Sequence, residues 1–227
     1  MSATVTAEID WNAEMARVRT ARAVRTRVGP GRNPAVVVVD FQVAFTRHAE
    51  IGPGTARSLA STAQLLDAAR AVGIPVIHLV MVLDDLGDRM LAQRVRSSLT
   101  EGCLRGDPRT AIDPAVGAQP GDHVVEKTVA SGFFRTRLEG LLAELEVDEI
   151  VLAGTSTSGC VRATAVDAAY RSLRVSLVEE CCDDFRPLSE QASLWDVQDR
   201  FGDVVTLTET LDRFAAGAPG HRAGATA

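Results

Sequence analysis

"EIVLAGTSTSGCVRATAVDAAY" occupies residues 149–170. Its first six residues (149–154) form a short apolar run that ends in glycine, which reads as a buried strand. A loop of small residues follows, and a helical pattern extends from about Gly159 to Leu173. A lone cysteine, Cys160, stands where that helix begins. Strand, tight loop and helix in this order make half of a βαβ unit, and the flanking sequence repeats the alternation. "AVVVVD" (35–40) reads as a fully buried strand and "TARSLASTAQLLDAARAVG" (55–73) as a helix, with Leu59, Leu65, Leu66 and Ala69 at helical spacing and Gly73 as its stop. "IPVIHLVMV" (74–82) is the next strand, a polar stretch at 88–99 a helix, and 102–121 a Gly/Pro/Asp-rich loop. "HVVEK" (123–127) is a third strand and "RTRLEGLLAELEV" (135–147) a helix. Beyond the opening stretch come a strand "RVSLVEE" (174–180), a helix "LSEQASLWDVQDRF" (188–201), a short strand "GDVVTL" (202–207) and a closing helix "TETLDRF" (208–214) capped by Thr208.

Continuous apolar strands separated by helices indicate a parallel sheet covered on both faces. The expected fold is therefore α/β, Rossmann-like and doubly wound, with a mostly parallel six-stranded sheet and helices on both faces. No composition break divides it. Residues 1–32 form an N-terminal extension whose segment 11–29 carries five arginines on a mostly helical pattern, an arm packed on the domain or on a neighbouring subunit. Residues 33–214 make the domain, and 215–227 read as a disordered tail.

Composition narrows the class. With 46% apolar and 24% charged residues the chain is an ordinary globular one, and a net charge of −6 argues against nucleic acid or an anionic membrane as partner. No apolar run approaches the roughly 20 residues of a membrane span. The polar start "MSATVTAEID" is unlike a secretory signal, and four cysteines in that setting read as reduced thiols in a cytoplasm. No C-x2-C or H-x3-H spacing supports structural zinc.

In an open parallel sheet the ligand crevice lies beyond the carboxyl ends of the strands. Asp40 ends the first strand, Lys127 the third, and Cys160 follows the fourth, so an acid, an amine and a thiol face one edge. Taken singly, each has a plain alternative: a turn former, a solvated strand end, a small buried hydrophobe. That last role is the expectation for Cys103, Cys181 and Cys182. At a helix start beside an ammonium, Cys160 is expected to have a lowered thiol pKa, with Asp40 placed to exchange its proton. A phosphate-binding reading of the small-residue loop fails, because neither G-x-G-x-x-G after the first strand nor G-x-x-x-x-G-K-[ST] is present. Among the histidines, only His48 lies in a loop within a substrate's reach, and an ordinary loop role is the favoured reading even there; His78 falls inside a strand pattern.

Asp40 in "VVVVDFQVAFT", Lys127 in "EKTVASGFF" and Cys160 in "GTSTSGCVRATAVDA" together resemble the Asp–Lys–Cys triad of the isochorismatase-like cysteine hydrolases, over roughly residues 33–214. Within that superfamily the chain is most similar to the N-carbamoylsarcosine amidohydrolase group, on its N-terminal extension, its "TSTSGCVR" loop and "SLWDVQDRFGDV" (193–204). The resemblance implies hydrolysis of a C–N bond in a small linear amide or N-carbamoyl compound through a thioester, with release of ammonia. It implies Cys160 as nucleophile, Asp40 as general base then acid, Lys127 as the fixed charge, and backbone N–H groups of Ser156 and Cys160 as the oxyanion hole. It also places a cis peptide at Thr155–Ser156 and implies a homo-oligomer, dimer or tetramer. Relatives with a metal site carry Asp-x-His after the second strand; "LVMVLDDLGDRM" (79–90) has no histidine, so neither metal nor other cofactor is expected. Where carboxylate-binding relatives have arginine, this chain has Phe185, with Arg186 one residue later. Arg186 binding a substrate carboxylate and Phe185 forming an apolar wall are both open readings; Phe45, Phe133 and Phe134 are either pocket lining or ordinary core. Cleavage of a different bond in natural-product metabolism, and a non-catalytic scaffold subunit, are the alternatives in function.

Overall fold

The computed structural model describes residues 27–48, 54–84 and 101–217, with residues 10, 13, 14, 16, 17 and 20 of the N-terminal segment. Strand β1 (Pro34–Val39) is buried at every position, and its side chains divide between two separate cores. Ala35, Val37 and Val39 enter one, and Val36 and Val38 the other, as the two-residue period of a strand requires. Ile150 and Leu152 against Val151 and Ala153 divide in the same way in β4 (Glu149–Thr155). On the first face lie α2 (Leu138–Glu144), α3 (Arg162–Tyr170) and α4 (Pro187–Arg200), through Leu138, Leu142, Ala165, Ala168, Leu194 and Val197. On the second lie α1 (Thr55–Ala71), through Leu59, Leu65, Leu66 and Ala69, and α5 (Leu207–Ala215), through Phe214. Apolar strands thus became a sheet buried on both sides because helices of both cores bury apolar stripes against it.

The remaining strands are β2 (Val76–Met81), β3 (His123–Lys127), β5 (Arg174–Asp183) and β6 (Asp203–Val205). The sheet order is β3-β2-β1-β4-β5-β6 and every pairing is parallel. The chain moves outward from β1 to β3, returns to the centre and moves outward the other way. The reversal falls between β1 and β4, whose carboxyl ends define the crevice of a doubly wound sheet.

Boundaries differ from the sequence reading where burial or capping decides them. Strand β5 continues three residues past Glu180, because Cys181 and Cys182 are buried in opposite cores. Helix α5 is capped by Thr206, not Thr208: the Thr206 side chain accepts Glu209 N–H, and the Glu209 carboxylate accepts Thr206 N–H at 2.8 Å. This reciprocal box ends β6 at Val205 and places the cap two residues earlier than expected. The helical pattern of the arm has ended by residues 27–29: Val28 and Gly29 N–H groups bind the Asp203 carboxylate at 2.9 and 2.7 Å, and Arg27 pairs with Glu209 at 2.8 Å. The helix expected at 88–99 lies outside the described residues. Of the tail expected from 215, Ala215 is instead the last residue of α5 and Ala216 its cap, while 218–227 lie outside the described residues. Among the described residues no helix is long and apolar enough to cross a membrane.

One backbone contact fixes the register at the reversal point. Gly154 pairs with Val39 at a φ of +133°, and a Cβ there would lie 2.1 Å from Val39 O. Only glycine lets β4 approach β1 so closely and still turn toward the following loop. Gly154→Ala is expected to cost about 2–5 kcal/mol from an unfavourable φ plus a backbone clash. A urea midpoint close to that of the parent protein would contradict this placement.

Candidate active site

Three strand ends meet at the crevice, and each is aimed by local backbone geometry. Asp40 follows β1 with a φ of +53°, a left-handed conformation that Asp adopts more readily than most residues. Its N–H donates to Leu79 O at 3.0 Å, so the turn stays attached to β2. Two residues on, the buried Gln42 amide pairs with the Met81 backbone, accepting its N–H at 2.7 Å and donating to its carbonyl at 3.1 Å. The same amide donates to Thr110 O at 2.8 Å, which holds the 101–116 segment over the site. Lys127 ends β3, and its ammonium donates to Asp40 Oδ2 at 2.7 Å and to Val129 O at 3.1 Å. The side chains of this pair are 0% and 1% exposed.

Beyond β4 the Thr155–Ser156 peptide is cis, and a wide π-type turn, Thr157–Val161, precedes α3. Such turns widen the helical backbone and recur at functional sites. Gly159 and Val161 N–H both donate to Ser156 O, at 3.0 and 3.2 Å. Neighbouring elements grip the turn at three points. Asp184 Oδ2 accepts Ser158 N–H at 2.7 Å, Thr157 Oγ1 donates to Asp183 O at 3.1 Å, and Thr164 Oγ1 donates to Cys160 O at 2.8 Å. Cys160 is half-buried and packs against both the first core and a small cluster of Ala44, Met81, Leu83 and Cys103.

The thiol lies within interaction range of both Asp40 and Lys127. Its pKa is pushed up to about 12, first by burial and then by the Asp40 anion; the Lys127 ammonium pulls the other way but does not prevail. This corrects the expectation of a lowered thiol pKa. Lys127 is already engaged with Asp40, and a buried carboxylate beside a thiol disfavours thiolate. The resting site therefore holds a neutral thiol. Burial also holds the Asp40 carboxyl above its ordinary range, against the opposing pull of Lys127. Burial works against the Lys127 ammonium, yet its pKa is raised, with Asp40 the leading attraction that keeps the amine charged. Asp40 Oδ1 is buried and has no donor in full hydrogen-bonding geometry among the described residues, while the Cys160 thiol lies within interaction range of the carboxyl, so this oxygen has capacity for a proton.

The aromatic and cationic candidates are dispersed. Phe45 is half-buried and packs against the same small cluster as Cys160. Phe133 is buried in the first core, with the Arg171 guanidinium 4.7 Å above its ring, whereas Phe134 is 39% exposed beside Arg135. Phe185 is half-buried, and Arg186 is exposed at the start of α4, its backbone N–H donating to Asp184 Oδ1 at 3.2 Å. His78 is buried in β2 against Asp122. Cys103, expected as filler, is fully buried beside the site, its pKa pushed up to about 12 by burial and then by Asp40. Gln42, Thr164 and Asp184 were not singled out in the sequence, since a polar loop residue carries no sign of the distant backbone group it will meet. Among the described residues, no three His, Cys, Asp or Glu side chains are grouped as a metal site.

Lys127→Met is expected to leave Asp40 as an uncompensated buried charge and to cost about 3–5 kcal/mol near pH 8. A buried acid whose folded pKa is raised binds protons more tightly in the folded state, so the deficit should shrink as pH falls toward 5. Urea midpoints at the two pH values check this; an equal deficit at both would mean Asp40 is not ionised in the folded protein.

Residues 34–209 match the family model described as Isochorismatase domain. The chain is 36% identical over 191 residues to maleamate amidohydrolase of Pseudomonas putida, covering 82% of this chain and 89% of that enzyme. It is 30% identical over 189 residues to N-carbamoylsarcosine amidase of an Arthrobacter species, covering 81% of this chain and 72% of that one. In structure it resembles a cysteine hydrolase from Pseudomonas syringae pv. phaseolicola, with a TM-score of 0.76, 28% identity and coverage of 85% and 97%. The chain belongs to the isochorismatase domain family, among amidohydrolases acting on C–N bonds.

Proposed function

We propose that residues 33–214 form a thiol amidohydrolase that cleaves a small linear amide or N-carbamoyl compound through a thioester on Cys160. The observation that carries this reading is the buried Asp40 carboxylate, with one oxygen held by Lys127 and the other open, beside a half-buried thiol. A thiol with a pKa near 12 is a poor nucleophile by itself at neutral pH, so its proton must leave as the bond forms. Asp40 Oδ1 accepts that proton while Sγ attacks the carbonyl carbon. Backbone N–H groups of Ser156 and Cys160 hold the developing oxyanion. As the C–N bond breaks, Asp40 returns the proton to the departing nitrogen, which leaves as ammonia. Water then attacks the thioester, Asp40 takes a proton from it, and the C–S bond breaks with the thiol restored. Lys127 remains an ammonium throughout and keeps Asp40 charged and oriented.

The names of the relatives, which act on maleamate and N-carbamoylsarcosine, support an amide or carbamoyl carbon as the point of attack. Phe45 supplies an apolar wall near the thiol. Phe185 and Arg186 complete the substrate site from the β5–α4 junction, where Arg186 is exposed and open to a substrate carboxylate.

Cys160→Ala is expected to abolish ammonia release from maleamate and N-carbamoylsarcosine while leaving the thermal midpoint within a few degrees of the parent. Asp40→Asn should lower the rate by about 10²–10⁴-fold, since an amide cannot take the thiol proton. Retained turnover in either variant would exclude this chemistry. Because the base must be ionised and its pKa is raised, kcat/KM should decline as pH falls through a value above the ordinary 3.8 of an aspartate. A profile flat down to pH 4 would mean that another group accepts the proton.

A further inference from the structure

We propose that Asp184 is a positioning residue for Cys160: its carboxylate clamps the wide turn that carries the thiol and sets where Sγ stands relative to Asp40 and Lys127. This rests on the reading of Cys160 as nucleophile. Asp184 follows the last residue of β5 and is 3% exposed. Its Oδ2 accepts Ser158 N–H at 2.7 Å, two residues before Cys160, and its Oδ1 accepts Arg186 N–H at 3.2 Å. Both oxygens are therefore engaged, one by the nucleophile turn and one by the start of α4. The charge-assisted bond to Ser158 is the stronger type of backbone anchor. The opposite end of the turn is held by Thr164, which is fully buried and also accepts Gly132 N–H at 3.1 Å. Cys160 is thus suspended between an anionic grip from β5 and a hydroxyl grip from its own helix.

The surroundings argue against a purely structural role. Asp184 also borders a cavity of about 450 Å³ shared with Arg57, Glu179, Glu180, Asp183 and Glu190. Burial first, and then the charges of Asp183 and Asp184, push Glu190 up to about 7. Burial likewise raises Asp183, whose carboxylate is bonded to Thr55 Oγ1, and Asp184 adds to the shift. An anion set among like charges is unfavourable for folding where a neutral acceptor would satisfy one N–H as well. The feature gained in return is a two-pronged acceptor of fixed charge at the nucleophile turn. Asparagine cannot replace it, because it supplies one oxygen and turns an NH₂ group toward the second donor.

Asp184→Asn should let the turn relax, moving the thiol out of range of Asp40 and toward solvent. Displacing a nucleophile by about 1 Å is worth about 10²-fold in rate, so kcat should drop about 10–100-fold with KM changed less than about threefold. The pH profile of iodoacetamide labelling should move too, with Cys160→Ala as the background control. Labelling of the parent should still be rising at pH 10, whereas in the variant it should level off nearer the ordinary thiol value of about 8.5. An unchanged labelling profile together with parental kcat would overturn the clamp. If the labelling profile moves but the parent releases no ammonia from any amide, the hydrolase reading fails and the clamp stands. Should Asp184→Asn not fold, amide exchange of Ser158 in the parent decides: slow exchange supports the clamp, and exchange at the rate of an open loop refutes it.

Discussion

The buried contact between Lys127 and Asp40, 2.7 Å long and closed to water, is the constraint around which the site is built. These residues end strands that are not neighbours: β2 lies between β1 and β3. The lysine side chain therefore reaches across the end of β2 to the left-handed turn after β1. Taking two charges out of water costs several kcal/mol per ion, and their attraction recovers that only when geometry and additional hydrogen bonds are favourable. Val129 O supplies one such bond to the ammonium. The carboxylate, by contrast, keeps Oδ1 unsatisfied. An ion pair selected for stability alone would not leave that oxygen open, and an apolar pair of similar volume would serve folding at least as well. In the proposed mechanism the arrangement provides a base kept charged in a dry setting, with one oxygen able to take a proton.

The same dryness determines the state of the Cys160 thiol. Cysteines at helix starts near a cation are commonly thiolates, because the dipole and the cation favour the anion. Here the cation is already neutralised by Asp40, and the carboxylate sits beside the sulfur, so the thiol keeps its proton. In the proposed reaction, proton and nucleophile are stored together and separate only as the carbonyl carbon is engaged. Under that proposal the division of labour calls on all three groups and on a firmly held turn at Cys160. A thiolate attacks from a range of positions, whereas a thiol that must pass its proton to one specific oxygen has little tolerance.

Much of this was legible in the sequence. Four consecutive valines followed by aspartate, and "HVVE" followed by lysine, mark strand ends because an apolar or β-branched run gives way there to a charged residue. Once the fold is doubly wound, strand ends share an edge, which brought Asp40, Lys127 and Cys160 together before any coordinates. The order of strands, the Gly154 approach to Val39 and the π-type turn depend on three-dimensional packing that no local pattern records. Thr206 is an instructive miss. The T-x-x-E spacing to Glu209 was present, but apolar residues on both sides invited a longer strand and moved the cap to Thr208. The direction of the thiol shift was also out of reach, because it turns on which charge Lys127 faces. Gln42, Thr164 and Asp184 act on backbone groups 26 to 68 residues away, or in the preceding turn of the same helical segment, and their residue types alone say nothing of that.

The central claim is that Cys160 becomes covalently acylated during turnover. Rapid acid quench of the enzyme with maleamate or N-carbamoylsarcosine, followed by peptide mass mapping, tests it most directly. An acyl or carbamoyl adduct on the peptide containing Cys160, appearing before steady state and decaying as substrate is consumed, is the predicted result. Ammonia release without any adduct on that peptide, or an adduct on a different residue, would contradict it.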